Sequence, residues 1–276
     1  MRQQPVIWAS SQSDVGSCRT KNEDAFLSRY PVFLVADGMG GHGYGDRASN
    51  AALAPFQEVD ANGLTPQLIE MLYEQARCGV AALSTEKKHP GTTLTGAFVT
   101  LCDQQWVWRI INIGDSRTYC YFEGKLRQIT KDHSRVQELI DYGIVTPEQA
   151  RQRSDRNIIT RALGASKEKS TGECDYFDLP MQSGQRLLIC SDGLTGELND
   201  HLIASFLRIP SPQLCCSSLV DAAKEAGGKD NITVTIVDVG SVPSINDMNG
   251  NADRYLETDT DCDNDDTRPI PIAGGV

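Results

Sequence analysis

Val32-Phe33-Leu34-Val35-Ala36-Asp37-Gly38-Met39-Gly40-Gly41-His42 is an apolar run that ends on a carboxylate and breaks into glycines. The run reads as a buried strand. Three other stretches follow the same scheme. Asp115 follows Arg109-Ile110-Ile111-Asn112-Ile113-Gly114, Asp192 follows Arg186-Leu187-Leu188-Ile189-Cys190-Ser191, and Asp230 opens Asn231-Ile232-Thr233-Val234-Thr235-Ile236-Val237. If the last strand runs antiparallel to the others, an aspartate at its start and aspartates at the other strands' ends share one sheet edge. Clustered carboxylates repel unless a cation neutralises them. Oxygen ligation without His or Cys points to Mg²⁺ or Mn²⁺ rather than zinc.

Around these runs, strands and helices come in blocks rather than strict alternation, which predicts a layered α+β architecture instead of a doubly wound parallel sheet. Helices are expected around Ala48 to Glu58 and from Thr65-Pro66 to about Ser84, with Thr65 as N-cap and Pro66 in the first turn. Strands dominate from Thr95 to Ile129. Thr146-Pro147-Glu148-Gln149 has the form of a capping box, and Ser211-Pro212 opens a last helix that ends near Gly227-Gly228. After residue 240 apolar periodicity is lost and acidic residues collect, against only Arg254 and Arg268. Residues 1–240 are therefore expected to form one domain and 241–276 a disordered acidic tail, because such a segment buries too little apolar surface to offset its ordering entropy. Its run Asp259 to Asp266 lacks the glycine and terminal glutamate of a calcium loop, so a solvated charge run is the expectation.

The 276 residues suffice for one large core, and the formal charge of -11 excludes a nucleic-acid binder, which needs Lys and Arg clusters. Met1-Arg2-Gln3-Gln4-Pro5 lacks the apolar core of a signal peptide, and no run is long enough to cross a bilayer. The expectation is a soluble, cytoplasmic monomer with no membrane partner. Nine cysteines without a Cys-x-x-Cys pair fit free thiols in a reducing compartment.

Two further segments carry chemistry. The glycines after Asp37 let a backbone approach a ligand closely, with the Gly38 carbonyl available to a metal; a plain tight turn reads equally well. Arg19-Thr20-Lys21-Asn22-Glu23-Asp24 offers a guanidinium and two carboxylates, suited to gripping a phosphate and orienting metal-bound waters, or else an exposed salt-bridged loop.

Taken in order, Arg19 to Asp24, Asp37 to His42, Gly91-Thr92-Thr93, Gly114-Asp115-Ser116-Arg117, Ser191-Asp192-Gly193-Leu194 and Asp230-Asn231-Ile232-Thr233 resemble the type 2C metal-dependent protein phosphatases over about residues 10 to 239. The Asp-Gly-Met-Gly-Gly-His form and the stretch from Thr130-Lys131-Asp132-His133-Ser134 to Arg161-Ala162-Leu163-Gly164 look like the bacterial branch. The resemblance implies a four-layer α-β-β-α sandwich of two antiparallel sheets flanked by helices, with two or three Mn²⁺ or Mg²⁺ ions at one rim. Asp37 would bridge two ions, with the Gly38 carbonyl on one and Asp192 and Asp230 on the other; Glu23 and Asp24 would act through metal-bound waters, and Asp115 with Asp192 would match a third position. Arg19 would hold the substrate phosphate. A metal-activated hydroxide would attack a phosphoserine or phosphothreonine ester, with His42 as candidate proton donor to the leaving oxygen, although eukaryotic members place a histidine where this chain has Met39. The substrates would be phosphoproteins and the opposing partner a Ser/Thr kinase. Residues 134–161, with Arg153 and Arg156, look like the family's variable flap. His89, His133 and His201 have no carboxylate or cysteine at ligand spacing, and His133 reads as structural. The rival readings are a non-enzymatic phosphoprotein binder, which would have lost its metal ligands, and a hydrolase of small phosphate esters.

Overall fold

The computed structural model describes residues 3–40, 44–60, 64–164 and 173–243, and Pro5–Val242 forms one compact unit. In chain order its elements are β1 (Val6–Asp14), β2 (Asp24–Arg29), β3 (Val32–Met39), α1 (Gly45–Leu53), α2 (Pro66–Ala81), β4 (Gly91–Thr92), β5 (Leu94–Cys102), β6 (Gln105–Ile113), β7 (Arg117–Phe122) and β8 (Lys125–Gln128). There follow α3 (Arg135–Asp141), α4 (Pro147–Arg151), β9 (Leu163–Gly164), β10 (Asp175–Pro180), β11 (Arg186–Cys190), α5 (Asp192–Thr195), α6 (Asp200–Phe206), α7 (Pro212–Ala226) and β12 (Ile232–Ser241).

One sheet has the order β1-β12-β11-β7-β8; the other has β10-β6-β5-β3-β4-β9, with β2 also on β3. Every pairing is antiparallel. Side chains alternate faces along a strand, so each central strand feeds two cores. In β3, Val32, Leu34 and Ala36 face α1 and α2, while Phe33 and Val35 face the opposite sheet. In β11, Leu188 and Cys190 pack under α7, while Leu187 and Ile189 meet Phe33, Val35 and Trp108 between the sheets. Phe33 and Trp108 touch edge to face at 6.2 Å. Two sheets each covered by helices on the outside make the α-β-β-α sandwich, as expected.

Local signals set the helix starts. Thr65 caps α2 by accepting from the Leu68 N–H at 3.2 Å, Ser211 caps α7 from the Leu214 N–H at 3.3 Å, and the Thr146–Gln149 capping box is complete in both directions. Each satisfies donors that a first turn leaves orphaned. The first helix differs from expectation: α1 begins at Gly45 and ends at Leu53, and Ala54–Phe56 tightens into a 3-10 turn with Pro55 in it. Proline lacks the N–H that would continue an α-helix. The last strand runs one residue past the expected boundary, with Ser241 opposite Val6. The expected tail lies, from residue 244 on, outside the described residues. Among those described, eight cysteines are free thiols, with Cys120 and Cys190 buried, and no helix is long and apolar enough to cross a membrane.

Candidate active site

The inner faces of the sandwich turn from hydrocarbon to hydroxyl toward one end. Thr93, Thr95, Ser116, Thr118 and Thr233 are all fully buried there, and their hydroxyls link the strand ends that carry the acidic residues. Asp37 at the end of β3 stands directly opposite Asp24 at the start of β2. Thr93 Oγ1 accepts from the Asp37 N–H at 3.0 Å and lies 2.7 Å from Ser116 Oγ, so one hydroxyl joins the Asp37 and Asp115 segments. The Thr93 N–H and the Thr92 hydroxyl both donate to the Asp37 carbonyl at 2.9 Å. From the other sheet, Ser191 Oγ and Thr233 Oγ1 donate to Asp24 Oδ2 at 2.8 and 2.7 Å, which ties β2 to the end of β11 and the start of β12. Asp192 and Asp230 flank those same ends. Antiparallel pairing of β11 with β12 brings Asp192 and Asp230 to one sheet edge, whereas Asp37 ends and Asp115 follows a strand of the other sheet, so the four share one end of the sandwich rather than the single sheet edge expected.

Two glycines allow the close packing. A Cβ on Gly38 would lie 2.2 Å from the Gly45 carbonyl oxygen, and one on Gly193 would lie 2.0 Å from the Asn231 carbonyl oxygen. Neither position has room for a side chain. Asn231 is a residue the site reading passed over although it stands inside a quoted motif: its amide donates to the Val15 and Lys21 carbonyls at 2.9 Å and its Oδ1 accepts from the Glu23 N–H at 2.8 Å. It stitches the Arg19–Asp24 segment onto β12. Glu23 Oε1 in turn accepts from the Gly45 N–H at 3.3 Å.

The electrostatics are those of crowded acids. Burial, then the neighbouring Asp24, Asp192, Asp115 and Asp230 carboxylates, push the Asp37 carboxyl well above its usual range. Burial and then Asp192 do the same to Asp115, and burial and then Asp230 raise Asp192. Burial above all lifts Asp24 to about 7, against the pull of the Thr233 and Ser191 hydroxyls. Asp24 Oδ1 and Asp115 Oδ1 are buried with no hydrogen-bond partner among the described residues. Five carboxylates, two with an orphaned buried oxygen, form a hard-oxygen donor set that fits a divalent cation. Among the described residues, no three acidic, His or Cys side chains already stand at the spacing of a metal shell.

Arg19 reaches Asp230 at 2.7 Å with its side chain 56% exposed, so the cation expected to grip phosphate is at the rim and paired with one of the acids. His42 and Gly41 lie outside the described residues. His133, read as lacking a carboxylate nearby in sequence, finds one at long range. Its Nε2 faces Asp175 Oδ2 at 3.2 Å, while its Nδ1 accepts from the Gly114 N–H at 3.2 Å. Burial lowers its pKa, and the neutral ring pins the turn that presents Asp115. Asp132, its neighbour, holds Arg117 through bonds of 2.6 to 3.0 Å. A cavity of about 380 Å³ separates this wall from the segment expected to be a flap; Asp115, Arg117 and Asp192 line one side, and Val136, Ile140, Ala150 and Arg156 the other. Arg153 is ion-paired to Asp155 at 2.7 Å.

A two-sheet sandwich with five carboxylates at one end defines a class, and the comparison with known sequences agrees: the chain belongs to the protein phosphatase 2C family, whose model matches residues 17–214. Within it, the chain is 35% identical over 240 residues to the serine/threonine protein phosphatase PstP of Mycobacterium tuberculosis, covering 85% of this chain and 45% of that one. The chain thus spans less than half the length of that curated relative. Among solved structures it resembles the PPM Ser-Thr phosphatase MsPP from Mycobacterium smegmatis in complex with cacodylate, with a TM-score of 0.77, 34% identity, and coverage of 86% of this chain and 100% of that one. It also resembles the catalytic domain of PstP in complex with two manganese ions, with a TM-score of 0.72, 32% identity, and coverage of 85% and 99%.

Proposed function

We propose that this chain is a metal-dependent protein serine/threonine phosphatase that opposes a Ser/Thr kinase on phosphoprotein substrates in the bacterial cytoplasm, working as a monomer. The observation that carries the reading is the convergence of Asp24, Asp37, Asp115, Asp192 and Asp230, from separate chain segments, on one end of the sandwich. The named activity of relatives at 35% identity supports the reaction class, and the two manganese ions in the PstP structure support the cofactor.

Asp37, the Gly38 carbonyl, Asp192 and Asp230 would hold two Mn²⁺ or Mg²⁺ ions, with Glu23 and Asp24 reaching them through water and Asp115 with Asp192 serving a third. Bound there, such ions lower the pKa of water to make a nucleophile near neutral pH and offset charge on the phosphoryl group. The chain supplies the rest. Arg19, long and exposed, exchanges Asp230 for the substrate phosphate and fixes it for in-line attack. His42 donates a proton to the departing Ser or Thr oxygen, a poor leaving group as an alkoxide. Thr93, Ser191, Thr233 and Asn231 keep the acid-bearing backbone in register. We take residues 1–240 as the catalytic domain, 134–161 as its flap and 241–276 as an acidic tail.

The deciding experiment is phosphate release from a phosphothreonine peptide and a matched phosphotyrosine peptide, each with Mn²⁺ and with chelator. Release from phosphothreonine that needs Mn²⁺ is expected. Turnover that survives chelator would overturn the mechanism, and a preference for phosphotyrosine would overturn the substrate class.

A further inference from the structure

Gly45 is where the first helix meets the acidic rim, touching Gly38 through its carbonyl and Glu23 through its N–H. Tyr44, the residue before it, is the N-cap of α1 and makes no side-chain capping bond. Its ring carries cations instead: Lys88 Nζ lies 4.0 Å and the Arg47 guanidinium carbon 5.7 Å from the ring centroid. Lys88 arrives from a different loop, and that loop also abuts the rim, since a Cβ on Gly40 would lie 3.1 Å from Pro90 Cα. The aromatic ring and its cations therefore border the Asp37–Gly40 segment.

These cations differ from the other basic residues of the rim. Arg19 is neutralised by Asp230 at 2.7 Å and Lys21 by Asp46 at 2.6 Å, whereas among the described residues neither Arg47 nor Lys88 has a carboxylate within ion-pair distance. Lys87 beside them is exposed, like Arg47, and Lys88 is half-buried. Among the described residues, no carboxylate of this acidic chain pairs with them. Two like charges gathered on one ring repel each other, and an anion seated between them relieves that repulsion; the ring's negative face fixes where the cations stand.

We propose that Tyr44, Arg47 and Lys88 form a shelf that binds acidic side chains of the substrate polypeptide, flanking the phosphoresidue held at the rim. The inference rests on the phosphatase reading for its substrate and on the geometry of the shelf for its charge preference. Substrates with Asp or Glu beside the phosphoresidue are favoured, and the preference weakens with salt because the shelf is at the surface.

The test compares the full chain with the Arg47→Glu/Lys88→Glu variant in Mn²⁺, using a phosphothreonine peptide with Glu flanks, the same peptide with Gln flanks, and p-nitrophenyl phosphate. The unaltered protein should prefer the Glu peptide. The variant should lose about tenfold in kcat/KM on that peptide, the scale that two exposed ion pairs allow, with p-nitrophenyl phosphate turnover unchanged. In a second arm, anisotropy of a fluorescent, unphosphorylated Glu-rich peptide reads binding without turnover, and the variant should bind about tenfold more weakly on the same grounds. Equal losses on both peptides, or unaltered peptide binding by the variant, would overturn the shelf. Absence of any phosphate release would instead sink the phosphatase reading, while the anisotropy arm would still decide the shelf.

Discussion

Asp24→Asn should make the metal-free protein more stable. Folding lifts the Asp24 carboxyl from 3.8 to about 7, chiefly by burial. That difference corresponds to about 4 kcal/mol of penalty on its charged form. Asparagine removes the charge and keeps an oxygen to accept from Ser191 and Thr233, but puts an amide where Asp24 Oδ1 now lacks a partner. An unpartnered buried donor costs about 1–3 kcal/mol. The net gain is on the order of 2 kcal/mol, or about 4–8 °C in Tm for a domain of this size. The sign with pH follows. A carboxyl raised in the folded state binds a proton that the unfolded chain does not, so stability rises as pH falls from above 7 toward the unfolded value. Thermal melts in chelator at pH 8 and pH 5.5 should show the variant ahead at pH 8 and the difference shrinking at pH 5.5. With Mn²⁺ the order should reverse, because the ion neutralises the native carboxylate. A variant that melts below the native protein at pH 8 in chelator would refute the claim that these acids strain the fold.

Further outcomes are expected elsewhere. Asp37→Asn should abolish Mn²⁺-dependent hydrolysis of an aryl phosphate while the melt stays cooperative, and full activity would remove Asp37 from the centre. Arg19→Ala should mainly raise KM, and an unchanged KM would show that it does not hold phosphate. Arg186→Ala should cost about 3–5 kcal/mol in denaturant unfolding, since it leaves Asp238 and the carbonyls of Leu207, Ile209 and Pro210 without their buried partner. His133 is held neutral by burial, so its contribution is complete above pH of about 6.5 and declines as pH falls below that value. His133→Gln should flatten that acid-side loss of Tm.

Legibility from sequence followed the range of each interaction. Thr65, Thr146 and Ser211 cap helices with partners three residues away, and those starts were readable. The apolar runs ending at Asp37, Asp115 and Asp192 and beginning at Asp230 were readable for the same reason. What a local reading cannot supply is the partner across the fold. Ser13 meets Thr233 and β1 lies on β12, more than 200 residues away. The acidic residues stand out in sequence at the ends of apolar runs, whereas Thr93, Ser116, Ser191 and Thr233, although inside the quoted motifs, show nothing of the hydroxyl links they make, because a buried threonine looks in sequence like any other strand residue. The Asp175 partner of His133 lies 42 residues on, and Tyr44 with Lys88 joins loops whose spacing carries no pattern.

The contact of Gly193 with the Asn231 carbonyl sets how near two acid-bearing segments can come. Asp192 precedes that glycine and Asp230 precedes that asparagine, so a single methyl at position 193 would wedge two acids apart without altering any charge. Serine, larger still, has no room either, so glycine is what lets the two segments meet this closely.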